Sequence, residues 1–422
     1  MTNPTQSKSL WKRFAIDLTP LYESREFRLI FFGQLISFLG SAITMVAVPF
    51  QVYAITHSNA QVGLVGIAQL IPMLASALWG GALADRFPRK VIVVSTEALQ
   101  ALSSVGLAVL AFTGTKNIYY IYALAGATAF FEGFHRPAIS SLIPMVVRKE
   151  LMASVGALGG FRVTFAQVLS PALAGILIAS FGLTIAYTVD VISYVLCVGL
   201  MLMLTIPALV TGPARSLLST IGEGFSYLRR QPVVLASYAV DISAMTLAYP
   251  FLLFPAIAAL HTHSASSSGS ARIVGFLHAS VWIGALIATL SSGWMSQPRS
   301  HGRWIGACAA GWCVFVALAG LQSNLAMVLL CFSIAGFFDM ISAVFRHTLW
   351  NQVIHNDFRG RLGGIELLSF KSGPYLGSAF LGFVAQATSP SHALQFGGLA
   401  GFAAVMAILF FVKPFRKYRY QG

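Results

Sequence analysis

The sequence "GGALADRFPRK" at residues 80–90 places four charges within six positions, between two long apolar stretches. The charged residues are Asp85, Arg86, Arg89 and Lys90. The chain as a whole has 422 residues, of which 57% are hydrophobic and only 9% are charged. Soluble domains carry about 25% charged residues. Dense charge in so apolar a chain is typical of a loop between two membrane-spanning helices.

Apolar runs of roughly 18 or more residues recur along the chain, and each is long enough to cross the hydrocarbon core as a helix. Barrel strands would instead alternate over about ten residues. The sequence therefore predicts an all-α membrane protein with about twelve transmembrane helices. The predicted spans are 27–55, 61–84, 90–113, 118–145, 153–180, 184–206, 233–260, 272–296, 303–322, 324–350, 361–387 and 392–413.

These spans group into two six-helix halves. The predicted organisation is a cytoplasmic N-terminal segment at 1–26, a first half at 27–206, a linker at 207–232, a second half at 233–413 and a basic tail at 414–422. In the linker, apolar residues recur at helical spacing over 216–232, which predicts an amphipathic helix lying at the membrane interface.

The distribution of basic residues predicts the orientation. Of the 27 Lys and Arg residues, 21 fall on the side of both termini and two on the other side. Cytoplasmic loops are rich in Lys and Arg, so both termini are expected in the cytoplasm. The net charge of +14 is thereby explained by topology, and no nucleic-acid partner is expected.

The two halves carry similar segments. "FFEGFHR" at 130–136 is matched by "FFDMISAVFR" at 337–346, and "SPALAG" at 170–175 by "SGPYLG" at 372–377. The opening stretch has a degenerate copy in "SGWMSQPRSHGR", where Gln297 replaces the acid. Parallel repeats of this kind predict two pseudo-symmetric halves with a substrate site between them near the membrane midplane.

The opening stretch resembles the signature loop of the major facilitator superfamily. The residues that fit are Gly81, Asp85, Arg86, Arg89 and Lys90, while Pro88 replaces the usual glycine. The resemblance implies a conformational latch on the cytoplasmic face. We expect Asp85 to meet a helix N-terminus of the other half and Arg86 to meet helix C-terminal carbonyls.

Three further stretches resemble the enterobactin-exporter and macrolide-efflux branch of this superfamily. They are "VAVPFQVYAITHSNAQVGL" at 46–64, "LFPAIA" at 253–258 and "RGRLGG" at 359–364. The resemblance implies a multi-pass protein of the bacterial inner membrane that exports a small molecule in exchange for protons. A siderophore or similar amphipathic metabolite is the first expectation, and multidrug or macrolide efflux is the alternative.

A different class stays open, namely a membrane scaffold or sensor that has the transporter fold without transport. An enzyme is not expected, because the sequence has no His/Cys/Asp cluster with metal spacing and no nucleophile elbow, and the lack of a Walker loop argues against ATP drive. No cofactor and no metal site are expected either. The expected partners are a small-molecule substrate, protons and the lipid bilayer, and the expected oligomeric state is a monomer.

Ten ionisable residues fall inside the predicted spans, where each charge costs about 2.5–3.5 kcal/mol unless it pairs or lines water. Five are candidates either for carrying the coupled proton or for forming ion pairs with the residue that carries it: Glu132, Arg136, Asp241, Asp339 and Arg346. The other five are Glu97, Arg162, Asp190, Glu366 and Lys371. For any one of these residues, a structural ion pair is the competing interpretation.

The fifth span contains "SPALAG", which resembles the helix 5 motif of antiporters in this superfamily. Pro171 is expected to bend the helix and Gly175 to allow close packing, with Ser170 in place of the usual glycine. An ordinary kinked helix is an equally good interpretation. Candidate substrate-lining residues are Gln51, Phe131, Phe134 and Arg162.

Overall fold

The computed structural model describes residues 17–205, 226, 228–262, 267–291, 300–354 and 356–419. Within those ranges, the side chains of 77–86, 267 and 356–369 are not described. The predicted interfacial helix at 216–232 falls largely outside the described residues. The described part contains helices and turns but no strand.

Six helices form the first half. The first four are α1 (Arg25–Thr56), α2 (Asn59–Arg86), α3 (Arg89–Thr113) and α4 (Ile118–Val146). The next two come from one helical run, Met152–Leu202, which Gly182 interrupts with φ 80° and ψ 174°. Because glycine has no Cβ, it adopts this backbone conformation without steric cost. Residues 152–181 form α5 and residues 183–202 form α6.

The second half repeats the arrangement. Its spans are α7 (Pro232–Leu247 followed by Phe254–Leu260), α8 (Ser267–Leu290), α9 (His301–Ala319), α10 (Leu325–Val353), α11 (Asn356–Ala387) and α12 (Pro390–Phe411). Short helices, Thr19–Glu23 and Lys413–Lys417, lie next to α1 and α12 respectively.

The predicted fold class is confirmed, since nine helical segments among the described residues are long and apolar enough to cross a membrane. One of the nine, Lys149–Leu202, contains both α5 and α6. The fully described α4 is not among them, because Glu132, His135 and Arg136 interrupt its apolar sequence. Two of the predicted charged candidates, Glu132 and Arg136, therefore lie in a span whose apolar sequence they interrupt.

The predicted seventh span, a continuous helix over 233–260, is wrong in one respect. The helix ends at Leu247 and resumes as a 3-10 turn at Phe251, with Pro250 between the two segments. Proline has no N–H to donate and clashes with the preceding turn, so it interrupts the helix. The carbonyl of Ala248 at this break accepts a hydrogen bond of 3.0 Å from the Trp312 indole of α9. This bond satisfies a polar group that would otherwise be buried alone.

α4 and α10 are equivalent elements of the two halves. Each has 29 residues and begins after an asparagine whose side chain accepts a bond from a backbone N–H of the first turn, at 3.0 Å for Asn117 and 2.8 Å for Asn324. Such capping fixes where a helix starts. Because both helices start at the same point of the repeat, Glu132 and Asp339 are each the fifteenth residue of their helix.

Successive spans run in opposite directions, so each connection belongs to one of two ends of the bundle. The end where α1 begins and α12 finishes is called here the terminal end, and the other is the opposite end. The two halves meet mainly through α2 against α11 and α5 against α8. The candidate site lies in the space that these two pairs of helices flank.

Candidate site between the two halves

A charged cluster joins the halves near the middle of the bundle. The Glu132 carboxylate of α4 lies 3.1 Å from Arg136 Nε, one turn along the same helix. The same oxygen accepts a hydrogen bond of 3.3 Å from Lys371 Nζ of α11. One carboxylate is therefore shared between a base of its own half and a base of the other half.

The cluster borders open space. The side chains of Glu132, Arg136 and Lys371 are 31%, 46% and 27% exposed, although they lie near the middle of long apolar helices. Charges at this depth are costly in contact with lipid. Since the Glu132–Lys371 pair bridges the halves, the exposed surface faces the space between them. This is the position expected for a substrate site in a two-half transporter.

On one side of the cluster, α2 and α11 form a continuous contact toward the opposite end. Tyr375 packs on an apolar group from α2 and α4 consisting of Leu70, Met73 and Ala129. Closer to the end, a Cβ on Gly63 would lie 2.7 Å from the Ser378 carbonyl, so the backbones touch. At the end itself, Ser58 Oγ donates a hydrogen bond of 3.0 Å to Gln386.

On the other side, α5 and α8 meet through the predicted antiporter-like motif. A Cβ on Gly175 would lie 2.9 Å from the Ala271 carbonyl, and one on Gly275 would lie 2.8 Å from the Pro171 carbonyl. Ser170 is fully buried. Small residues allow this backbone approach in a membrane, where interhelical packing depends on van der Waals contact. The motif is therefore part of the contact between the halves.

The described hydrogen bonds and ion pairs between the halves all lie between Glu132 and the opposite end. Arg136, one turn toward the terminal end from Glu132, is the most exposed member of the cluster. Among the residues whose side chains are described, the polar links between the halves are therefore concentrated between the cluster and the opposite end. In the orientation predicted from the basic residues, the terminal end faces the cytoplasm.

Two other predicted candidates form an acid–base pair that is enclosed within the second half. Arg346 of α10 forms an ion pair with Asp241 of α7, and both side chains are only 3% exposed. The Phe370 ring lies 5.4 Å from the Arg346 guanidinium carbon. Asp339 is partly exposed on the same helix as Arg346, without an ion pair among the described residues. The structure thus separates the five candidates into a cluster between the halves, a buried pair and a single carboxylate.

The predicted latch is described only in part. The side chains of Gly81, Asp85 and Arg86 lie outside the described residues. Arg89 donates a bond of 2.8 Å to the Ser141 carbonyl of α4. Lys90 donates bonds of 2.8 and 2.6 Å to the carbonyls of Leu202 and Leu204, at and just beyond the end of α6. Both bases therefore bind helix carbonyls within their own half, where a cation is favoured at a helix C-terminus.

The predicted lining residues have different surroundings. Gln51 is buried and accepts a hydrogen bond of 2.7 Å from the Tyr187 hydroxyl. Phe131 and Phe134 share the wall of an apolar groove of about 300 Å³ between α3 and α4. Arg162 is half-buried, and its Nε has no hydrogen-bond partner among the described residues. The described contacts place Phe131 and Phe134 together and give Gln51 and Arg162 surroundings of their own.

Sequence reasoning missed a buried polar network behind the cluster. His135 Nε2 lies 3.3 Å from a Glu97 oxygen, and its Nδ1 lies 3.1 Å from the Thr96 hydroxyl. Gln34 and Ser37 of α1 donate to the two oxygens of Glu97 at 2.9 and 3.0 Å. A helix turns about 100° per residue, so His135 and its neighbour Arg136 point in different directions. The signal was His135, which lies between Glu132 and Arg136 in the sequence and was not among the predicted candidates.

The chain matches a family model described as "Transmembrane secretion effector" over residues 16–419. It is 26% identical over 407 residues to the enterobactin exporter EntS of Shigella boydii serotype 18, covering 96% of both chains. The EntS protein of Escherichia coli O81 matches to the same extent. The predicted resemblance to this branch is confirmed.

Solved structures show the same fold. A POT family transporter in complex with 5-aminolevulinic acid aligns with a TM-score of 0.74 at 11% identity, over 93% of this chain and 97% of that one. The nucleoside transporter NupG aligns at 0.71 and 12% identity, over 94% of this chain and 100% of that one. A bacterial homologue of the lysosomal transporter Spinster aligns at 0.66 and 16% identity, over 93% and 99%.

The matched family model covers nearly the whole chain, the helices form two packed halves, and shared charge lies between them. This combination identifies a transporter and not an enzyme. The chain belongs to the transmembrane secretion effector family and is a multi-pass membrane exporter of the major facilitator superfamily.

Proposed function

We propose that this protein exports a small amphipathic molecule from the cytoplasm across the bacterial inner membrane in exchange for protons. A siderophore of the enterobactin type is the first substrate candidate, because relatives similar over 96% of the chain are named enterobactin exporters. Macrolide or multidrug efflux is the second. Both termini lie in the cytoplasm, following the distribution of basic residues, and the working unit is a monomer.

The observation that carries proton coupling is the sharing of Glu132 between Arg136 and Lys371. A carboxylate between two bases neutralises one of the two positive charges, and protonation removes that neutralisation. The link between α4 and α11 is then weakened, because the Lys371 ammonium no longer faces a negative charge. One proton on Glu132 thus acts on the contact between the halves, which is the contact that alternating access must change.

A cycle follows from this arrangement. In the inward-open arrangement, Glu132 is ionised and paired with Lys371. An anionic substrate entering from the terminal end competes for Lys371 and Arg136, and the halves rock so that the opposite end opens. Substrate then leaves, and a proton from outside binds Glu132. The return step delivers that proton to the cytoplasm, after which the Glu132–Lys371 pair forms again.

Asp241 and Arg346 have a structural role in this proposal, because their pair is enclosed within one half. Asp339 serves in this proposal as a second carboxylate of the site. The latch role of Asp85 and Arg86 stays a hypothesis, with Arg89 and Lys90 anchoring the same loop to α4 and α6. The lining role of Gln51, Phe131, Phe134 and Arg162 is likewise a hypothesis.

Transport into proteoliposomes under an imposed proton gradient tests the proposal. Enterobactin and a macrolide serve as the two probes, and Glu132→Gln is compared with Glu150→Gln, an exposed acid in the loop before α5. We expect gradient-driven transport of enterobactin by the wild type and by Glu150→Gln, and its loss in Glu132→Gln. Transport that continues unchanged after collapse of the gradient would contradict proton coupling. Transport of the macrolide alone would replace the first substrate candidate by the second.

A transport-free scaffold makes a different prediction. Neither probe would move in the wild type, and Glu132→Gln would have no phenotype in cells at equal surface expression. The shared carboxylate between the halves favours the transporter, because a scaffold has no need of a charge that responds to protonation at a moving contact.

A further inference from the structure

A basic cavity lies at the terminal end of the second half, away from the site between the halves. It has a volume of about 280 Å³. Its walls come from two places in the chain, the start of α9 and the segment after α12. The lining residues are Ser300, Arg303, Arg416, Lys417 and Arg419, called here the C-terminal basic cavity.

The segment that supplies three of these bases is firmly packed. Phe415 is fully buried, and Gly302 of α9 lies so close to its carbonyl that a Cβ would not fit. The Tyr418 ring lies 6.4 Å from the His301 ring, and its hydroxyl donates to Gln352 at 3.5 Å. The bases around the cavity are therefore held in place by a docked segment and not carried on a free tail.

The charge of the cavity is uncompensated in the described part of the chain. None of its four bases forms an ion pair with a described carboxylate, and Ser300 adds a hydroxyl. Like charges held together repel, so their fixed clustering is favourable when an anion binds among them. Arginine is suited to phosphate, because its guanidinium presents paired donors that match phosphate oxygens.

The surroundings place the cavity at the membrane surface. Trp304, next to Arg303, is 37% exposed, and Phe410 and Phe411 at the end of α12 are 66% and 77% exposed. Tryptophan concentrates at the boundary between hydrocarbon and water, and the exposed phenylalanine rings offer apolar surface that acyl chains can cover. A phosphate bound in the cavity would thus have apolar side chains beside it at the depth where acyl chains begin.

We propose that the C-terminal basic cavity binds the phosphate group of an anionic phospholipid, with its acyl chains along Phe410 and Phe411. The same phosphate chemistry is present in free inorganic phosphate, but only a lipid uses both the bases and the exposed aromatic rings. Clusters of bases beside membrane helices bind anionic headgroups in this way, mainly through charge.

Lipid retention by the purified full chain, followed by native mass spectrometry, tests the site. The variants are Arg303→Gln with Arg416→Gln, and Arg419→Gln alone in case the double variant folds poorly. The control is Lys413→Gln, which removes an exposed base from the same short helix without touching the cavity. The delipidated protein is titrated with phosphatidylglycerol, phosphatidylcholine or inorganic phosphate.

We expect the wild type and Lys413→Gln to bind phosphatidylglycerol in preference to phosphatidylcholine. The double variant should bind it about thirtyfold more weakly, and Arg419→Gln about fivefold, given the usual contribution of one base near a membrane surface. Equal binding of phosphatidylglycerol by all variants would overturn the proposal. Stabilisation by inorganic phosphate as strong as by the lipid would overturn the assignment to a lipid.

Discussion

Glu132 and Asp339 occupy the same position in the two halves, but among the described residues only Glu132 forms an ion pair that crosses between them. Its partner Lys371 lies on α11, and Asp339 has no comparable base in the part of the chain that the structure describes. The repeat therefore places two carboxylates at one depth and couples only one of them to the contact between the halves.

This asymmetry predicts that Asp339→Asn keeps the gradient dependence of transport, whereas Glu132→Gln removes it. A charge-assisted hydrogen bond contributes about 1.5–3 kcal/mol, so loss of the Glu132–Lys371 bond should change gradient-driven rates by tenfold or more. Initial rates with and without a proton gradient in proteoliposomes measure both effects. If Asp339→Asn abolished the response and Glu132→Gln did not, the coupling role would pass to the second half.

The contact between Ser58 and Gln386 predicts a site where the halves can be locked. Cysteines at these two positions should be joined by a short bifunctional thiol reagent, because Ser58 Oγ lies 3.0 Å from the Gln386 side chain. Since the opposite end must open during alternating access, the cross-link should arrest transport until it is cleaved. Gel mobility and transport are measured on the same sample.

The matched control for this lock lies within one half. Gln61 and Tyr122 are joined by a hydrogen bond of 2.8 Å between α2 and α4. Cysteines at these positions should cross-link equally well, and transport should continue, because the two helices belong to one moving unit. Arrest by both cross-links would mean that α2 and α4 also separate during the cycle.

Much of the fold could be predicted from the sequence, because membrane helices follow from the length and polarity of apolar runs. The break inside α7 could not be predicted in this way. Pro250 and Pro255 were visible, but prolines are tolerated within membrane helices when neighbours satisfy the freed backbone groups. Here the Trp312 indole does so for Ala248, and that contact is 64 residues away in sequence.

The candidate site was predictable only as a set of charges. Local spacing predicted the pairing of Glu132 with Arg136, since residues four apart lie on one face of a helix. The pairing with Lys371 joins residues 239 apart in sequence and depends on how the halves meet. The pairing of Asp241 with Arg346 could not be predicted from spacing either. Two helices of the same half bring these residues together into a buried ion pair.

The glycine contact between α5 and α8 predicts that Gly175→Ala opens the opposite end. The added Cβ would lie 2.9 Å from the Ala271 carbonyl and 3.0 Å from Gly275 Cα. Overpacking of this kind costs about 1–3 kcal/mol, which should shift the population toward outward-open by fivefold or more. Labelling of a single cysteine at Ser58 from the outside measures the shift.

The control for this prediction is Gly160→Ala in the same helix, where an added Cβ meets nothing within 4 Å. Labelling at Ser58 should then equal that of the parent protein. Faster labelling in both variants would indicate a general loosening of α5. The effect of Gly175→Ala could then not be attributed to the contact between the halves.

The buried pair of Asp241 and Arg346 predicts a stability effect that is separable from transport chemistry. Removing one partner, as in Asp241→Asn or Arg346→Met, leaves a buried charge without compensation, which costs about 3–5 kcal/mol. The double variant Asp241→Leu with Arg346→Met removes both charges and should regain most of the lost thermal stability, because apolar replacements of a buried pair are often close to neutral. Thermal unfolding of the purified variants measures this, and gradient-driven transport of the double variant then decides the role of the pair. Retained gradient dependence means that the pair only holds α7 against α10, whereas a stable double variant that has lost it would make Asp241 part of the proton pathway.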